Sequence, residues 1–293
     1  MQASIIIRTY NEARHLKVLL DGIRNQTLAA AEYEVILVDS GSQDRTLEIA
    51  RQGGCRILNI KPEEFSFGRS LNLGCEAARG RNLVFISGHC VPVKPTWLED
   101  LIRPLGTQGC ALTYGRQQGG ERTKFSEEQL FLKYFPPNDE PPPNEFFCNN
   151  ANAAVIREVW ERFRYDETLT GLEDMEFGKR LTASGLKVKY VPGAGVYHYH
   201  HETWRNIRRR YEREAIALQK IMPEVQVQAS DAMRYFMAGV FNDWAKALGQ
   251  NCFMRYAREI VFFRFSQYYG AWRGNHIHRK LSKRAKEKYF YPR

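Results

Sequence analysis

What the sequence lacks narrows it first. No apolar run approaches the roughly 18 residues needed to span a bilayer, which excludes a transmembrane protein. The first residues run straight into Ile5-Ile6-Ile7 without a basic region or a cleavage site, so no signal peptide is expected. No Cys-x-x-Cys pair occurs among the six scattered cysteines (Cys55, Cys75, Cys90, Cys110, Cys148, Cys252), which predicts reduced, mostly buried cytosolic thiols rather than a disulfide frame or a zinc site. No G-x-G-x-x-G follows the first strand-like run and no G-x-x-x-x-G-K-[ST] occurs, against a dinucleotide-type Rossmann enzyme and a P-loop NTPase. No internal repeat is visible. Acidic charge is scarce toward the end: residues 203–293 hold 7 Asp/Glu against 19 Lys/Arg, whereas residues 1–202 hold 26 against 24. A near-neutral body thus carries a strongly basic extension.

What is present is ordinary globular material, 293 residues with 43% hydrophobic and 26% charged, which excludes a disordered or collagen-like chain. The first hundred residues alternate strand and helix signals. Ser4 to Thr9 reads as a strand, and Leu16, Leu19, Leu20 and Ile23 as one face of a helix that Asn11 can cap. Glu34 to Asp39 is an apolar strand ending on a carboxylate, with a helix expected over 44–52. Cys55 to Ile60 and Leu83 to Ile86 read as further strands, with a helix from Arg69 to Arg79 between them. Continuous apolar strands alternating with helices predict an α/β fold, a mostly parallel sheet covered by helices on both faces. Ligands of such sheets sit outside the carboxyl ends of the strands. Those ends read Thr9-Tyr10-Asn11-Glu12, Asp39-Ser40-Gly41-Ser42 and Ser87-Gly88-His89. Phe135 to Asn144, with five prolines, must be an extended loop.

Four motifs recur in order: strand–T-Y-N-E–helix, then I-L-V-D-S-G-S-x-D-x-T, then F-G-R-S-L-N-x-G, then G-L-E-D. Together they resemble the inverting family 2 glycosyltransferases of the GT-A fold, over about residues 3–202, with a weaker likeness to rhamnosyltransferase-like members beyond Val196. The resemblance implies a GT-A domain over 1–202, a helical basic and aromatic extension over 203–293, and a donor site that takes a nucleotide-sugar. Thr9, Asn11, Glu12, Asp39, Ser40, Arg69, Asn72, Ser87 and His89 fall at donor-side positions. In the family the position of Asp39 reads the base of the nucleotide. The plain alternative is that Asp39 and Ser42 cap the following helix. Glu12 is favoured by a helix dipole in any case, and Arg69 and Asn72, spaced i, i+3, also suit a solvated helix face. Asp174 matches the family's general base, with Glu173 in support. The alternative for Glu173 is a capping box with Thr170. Asn149, Asn150 and Asn152 read as turn residues, with acceptor contact open for one of them.

The departure lies at the fourth strand, where the family usually holds a divalent metal on Asp-x-Asp. Here that place reads Ser87-Gly88-His89. Period two on a strand would set His198 and His200 on one face. Three readings stay open: a weak metal site for Mn²⁺ or Mg²⁺ from His89 with His198 or His200, metal-independent catalysis, or a binding module that has lost catalysis. Oxygen ligands suit Mg²⁺, and an imidazole tolerates Mn²⁺ better.

The basic extension interleaves Arg/Lys with Phe, Tyr and Trp. That suits an anionic membrane surface carrying a lipid-linked acceptor, an acidic glycan groove, a subunit contact, or a solvated helical appendage. No nucleic-acid module is present, so nucleic acid is not an expected partner. The resulting expectation is an enzyme moving a sugar from a nucleotide-sugar donor to a polysaccharide or glycolipid hydroxyl, cytoplasmic and peripheral at the inner face of the membrane.

Overall fold

The computed structural model describes residues 1–139 and 144–276; the terminal run Lys280 to Arg293 and residues 140–143 of the Pro-rich stretch lie outside them. In chain order the elements are β1 (Ala3–Thr9), α1 (Ala13–Arg24), β2 (Tyr33–Asp39), α2 (Thr46–Gln52), β3 (Arg56–Asn59), α3 (Phe67–Ala77), β4 (Asn82–Ser87), β5 (Cys90–Pro92) and α4 (Trp97–Ile102). There follow β6 (Cys110–Gln118), α5 (Phe125–Tyr134), β7 (Asn152–Ile156), α6 (Arg157–Phe163), α7 (Glu173–Ala183) and β8 (Lys187–His198). Three helices close the described chain: α8 (Trp204–Ile221), α9 (Ala229–Gly249) and α10 (Phe253–Asn275).

All eight strands form one sheet in the order β3-β2-β1-β4-β7-β6-β8-β5. The half β3-β2-β1-β4 is parallel, as is β6–β8, while β4–β7, β6–β7 and β5–β8 are antiparallel. The sheet is buried on both faces because its strands are apolar on both. Ile6, Val38 and Phe85 pack with Leu71 and Phe177 on one side. Ile5, Ile7, Leu37 and Val84 pack with Leu16 and Leu19 of α1 on the other. Each such fully buried side chain contributes about 1.5–3 kcal/mol of transfer free energy. β1 lies between β2 and β4, so connections leave it in both directions, and the carboxyl ends of these three strands are the place where a ligand is expected at such a switch point.

The chain divides into two compact units. The first comprises residues 1–120, 131–168 and 173–199, the second 121–130, 169–172 and 200–293. The division therefore cuts across a simple boundary at 202/203: two short segments from the body of the chain fold with the last helices. Phe125 packs there with Ala247 and Ile260, its N–H donates to Glu259 Oε1 at 2.9 Å, and the Thr170 hydroxyl donates to the Arg213 carbonyl. Within this unit Gly270 and Gly274 let α10 lie directly on α8, since a Cβ at either would fall 2.4 Å from Arg208 O or 2.2 Å from Glu212 O.

Candidate functional site

The ends of β1 and β2 are laced together by side chains. Asp39, buried at the end of β2, accepts from the N–H groups of Gly41 and Ser42 at 2.9 Å through Oδ2, and from the hydroxyls of Ser42 (2.5 Å) and Thr9 (3.3 Å) through Oδ1. It does not cap α2, whose N-cap is Arg45; it folds its own loop. Asn11 is not the helix cap either. It sits at φ 58, its N–H donates to Ser42 Oγ, and its Oδ1 accepts from Gln43 N, both at 2.8 Å. The N-cap of α1 is Glu12, just outside the helix rather than in its first turn. Thr46 and Asp44 receive the N–H groups of Glu12 and Ala13. The β2 loop thus satisfies donors that α1 cannot satisfy itself.

Several donor-side residues are buried and bonded within the fold. Thr9 and Ser40 are buried like Asp39, with the Ser40 hydroxyl on Thr9 O at 3.1 Å, so both brace the strand ends. Asn72 is also buried. Its amide donates to Tyr165 O and Glu167 Oε1, and its oxygen accepts from Trp160 and Tyr165 N–H groups, which uses its full bonding capacity inside the fold. Arg69 alone of that helical pair is exposed, held loosely 3.6 Å from Glu167 and 3.9 Å from Glu64. Asn152 likewise serves the interior, between Trp97 Nε1 and the carbonyls of Arg116 and Ala194.

Ser87-Gly88-His89 closes β4 against this lattice. Gly88 is required there: a Cβ would lie 2.9 Å from Glu12 Cγ and 3.0 Å from Thr9 Cγ2. His89 extends to Glu12, Nδ1 to Oε1 at 2.7 Å. Antiparallel pairing of β5 with β8 sets Cys90 opposite His198, and the His89 and His198 rings stack at 5.0 Å. His198 Nδ1 lies 2.7 Å from Gln117 Oε1, whose amide holds Asn149 Oδ1 at 3.1 Å. The strand ends at His198, so period two does not extend to His200. His200 belongs to the second unit, where its Nδ1 lies 2.7 Å from Glu127 Oε1, a carboxylate also bound by Arg210; burial would raise it, but these two partners hold it at about 2, well below the usual range.

The second feature is a buried carboxylate pair at the start of α7. Leu172, at φ 56 in the left-handed region, turns the chain directly into Glu173. The helix begins at Glu173, so Thr170 is not its N-cap and no capping box forms. Instead Glu173 meets Arg8 of β1, Nη1 to Oε1 at 3.0 Å. Asp174 accepts from Asn150 N at 3.1 Å and Met175 N at 2.8 Å. Its carboxyl is pushed up to about 7, first by burial and then by the charge of Glu173; the two N–H donors and Arg8 pull the other way. Burial, more than carboxylate adjacency, is thus the main cause. Cys148 Sγ on the Asp174 carbonyl and Tyr165, whose hydroxyl donates to Asn150 Oδ1, complete the surroundings.

Arg8 and Gln117 were not among the sequence candidates. A signal for Arg8 exists: it is the one charged residue in the otherwise apolar run Ser-Ile-Ile-Ile-Arg-Thr. Gln117 carries no comparable mark.

The family model described as Glycosyl transferase family 2 matches residues 4–163, just over half of the chain. Glycosyltransferase AglE of Haloferax volcanii is 37% identical over 116 residues, 38% of this chain and 38% of AglE, so the match spans well under half of that relative. O-antigen chain rhamnosyltransferase RfbN of Salmonella typhimurium is 25% identical over 224 residues, 72% of this chain and 70% of RfbN. Among solved structures, mannosyltransferase PcManGT from Pyrobaculum calidifontis, in complex with GDP-Man and Mn²⁺, superimposes with a TM-score of 0.65 at 16% identity, covering 95% of this chain and 88% of that one.

Proposed function

The chain belongs to glycosyl transferase family 2 and is a glycosyltransferase of the GT-A fold, and from that premise we propose that it is an inverting enzyme with Asp174 as general base. The observation that carries this reading is the Glu173–Asp174 pair, a buried carboxyl near neutrality beside a carboxylate matched by Arg8. In the proposed step the acceptor hydroxyl gives its proton to Asp174 while its oxygen bonds to the anomeric carbon. The bond from that carbon to the nucleotide breaks at the same time, and the nucleotide leaves with the electron pair. The donor is a nucleotide-sugar, as GDP-Man is for PcManGT. The acceptor is a hydroxyl of a polysaccharide or glycolipid of the cell envelope, in keeping with the O-antigen chain in the name of RfbN, at the inner face of the membrane.

Arg8 is a positioning residue in this scheme: it neutralises Glu173, and its charge favours ionised Asp174. A base with a raised pKa is protonated at acid pH, so turnover should rise with pH through the region around 7. Arg8→Gln removes the cation and should move that rise upward by about one pH unit, and Arg8→Lys should restore part of it. A pH–rate profile of Arg8→Gln that coincides with the wild type would remove Arg8 from this role.

The residues at the old Asp-x-Asp position fit a metal of a particular kind. His89 and His198 offer ring nitrogens within 4.8 Å of one another, each ring oriented through Nδ1 by Glu12 or Gln117, as ligating histidines usually are. Such a set suits Mn²⁺ better than Mg²⁺. A cation held there would offset the charge that develops on the departing diphosphate. Because Ser87 replaces a carboxylate, dependence on metal should be weak. Turnover of nucleotide-sugars should persist in part after EDTA, and titrating Mn²⁺ by paramagnetic resonance should give binding that weakens below about pH 6 and in His89→Ala. Complete loss with EDTA and full recovery with Mg²⁺ would overturn this. A second reading rests on the absence of both aspartates: nucleotide binding without turnover of any nucleotide-sugar would make the chain a recognition module.

A further inference from the structure

In the second unit, α9 and α10 pack antiparallel, fixed by a buried two-pronged ion pair in which Arg264 Nε and Nη2 reach Asp243 at 2.7 and 2.9 Å. Trp244 Nε1 adds a bond to the Ala257 carbonyl at 3.1 Å. Val240, Asp243 and Ala247 form the buried side of α9. The sector of the helix next to this buried side is apolar as well, although it is exposed. Met233, Met237, Phe241 and Leu248 are 61%, 42%, 56% and 60% exposed. With half-buried Trp244 they fall within about 80° of arc at 3.6 residues per turn. An open groove of about 270 Å³ borders this stripe, lined by Met233 and Phe236 of α9 and by Phe265, Tyr268, Tyr269 and Trp272 of α10. So contiguous an apolar face marks a surface that is covered in use.

The charges say by what. Arg234 on α9, which also pairs with Asp231 at 3.4 Å, and Arg255 and Arg258 on α10 accompany the stripe, while Asp243 is consumed by Arg264 and Glu259 accepts from Phe125. The 18 residues of chain that follow α10 hold seven Lys/Arg against one Glu, with Tyr289, Phe290 and Tyr291. A second copy would bring the same positive charge to the face, and like charges oppose such pairing. An anionic surface with an apolar interior satisfies both halves of the pattern: cations at the headgroups, Met, Phe and Trp at the acyl boundary.

We infer that the α9–α10 face docks the enzyme on an anionic phospholipid bilayer, with the Met233–Met237–Phe241–Leu248 stripe entering the interface and the flanking cations meeting the headgroups. This deepens the membrane clause of the proposed function by naming the surface responsible, and it makes no use of the catalytic residues.

The full-length protein is sedimented with phosphatidylcholine vesicles with and without phosphatidylglycerol, at low and moderate salt. The wild type should bind the anionic vesicles, and salt should weaken the binding without abolishing it, because screening touches only the electrostatic part. Met233→Ser/Met237→Ser/Phe241→Ser, at exposed positions where the fold is not at stake, should lower the partition coefficient about tenfold or more. Arg255→Glu/Arg258→Glu should lower it on anionic vesicles only. Turnover with a soluble acceptor should be unchanged in both variants, so loss of the docking claim and loss of the transfer reading register in different measurements. Wild-type binding by the triple variant, or no binding by the wild type, would overturn the inference. So would a wild-type dimer that the triple variant converts to monomer without change in lipid binding.

Discussion

Asp174→Asn should leave fold and donor affinity in place and lower turnover by a factor on the order of 10² or more. The amide preserves shape and its one oxygen keeps one of the two N–H bonds, since Asn150 N and Met175 N reach different oxygens of Asp174, but it cannot take the acceptor's proton. The raised carboxyl makes the wild-type result pH-dependent with a definite sign: below about 7 Asp174 is mostly protonated and idle, above it ionised and active. The residual activity of the variant should therefore show no such rise across the same range. Near-normal turnover in Asp174→Asn, measured with saturating donor, would remove Asp174 from the mechanism. The same burial carries a stability consequence. A carboxyl whose folded value lies above its unfolded one favours the folded state when protonated, so this contribution fades as pH climbs through 7.

Asp39→Ala should weaken nucleotide affinity by about 1.5–3 kcal/mol, the usual worth of hydrogen bonds to a charged group. Asp39 is engaged by four protein donors. A nucleotide that bonds to this carboxylate directly must displace the Ser42 or Thr9 hydroxyl from it. If instead Asp39 works by shaping the Gly41–Ser42 loop, Ser42→Ala should cost affinity too. If it binds directly, Ser42→Ala should leave affinity equal or improved. Calorimetry with nucleoside diphosphates distinguishes the two, and unchanged affinity in Asp39→Ala would reduce the residue to a brace of the β1–β2 ends.

Much of the first unit could be read from its residues. Leu16, Leu19, Leu20 and Ile23 are all buried on the inner side of α1, and the Pro-rich run is irregular where it is described. The strand runs ended within a residue or two of the observed β1 to β4. These signals are local: burial on both faces writes a continuous apolar run, and the helix period writes spaced leucines. Caps were read less well. Asn11, Asp39 and Thr170 are all good capping residues by type, yet none caps a helix, because side chains from a neighbouring loop or a shifted helix start supply the bonding instead.

By itself, then, the sequence determined the alternation of strands and helices, the strand ends at which Glu12, Asp39, His89 and Asp174 could matter, and the basic, aromatic character of the last ninety residues. Only the tertiary structure decided which side chains serve the interior. Asn72 looks like a donor-side residue until Trp160, Tyr165 and Glu167 arrive on it. Only the tertiary structure joined Arg8 to Glu173, 165 positions apart, and stacked His89 on His198. Such partnerships follow from strand order and register. Those are set by how the whole apolar surface is buried at once, and no local run of residues contains that information.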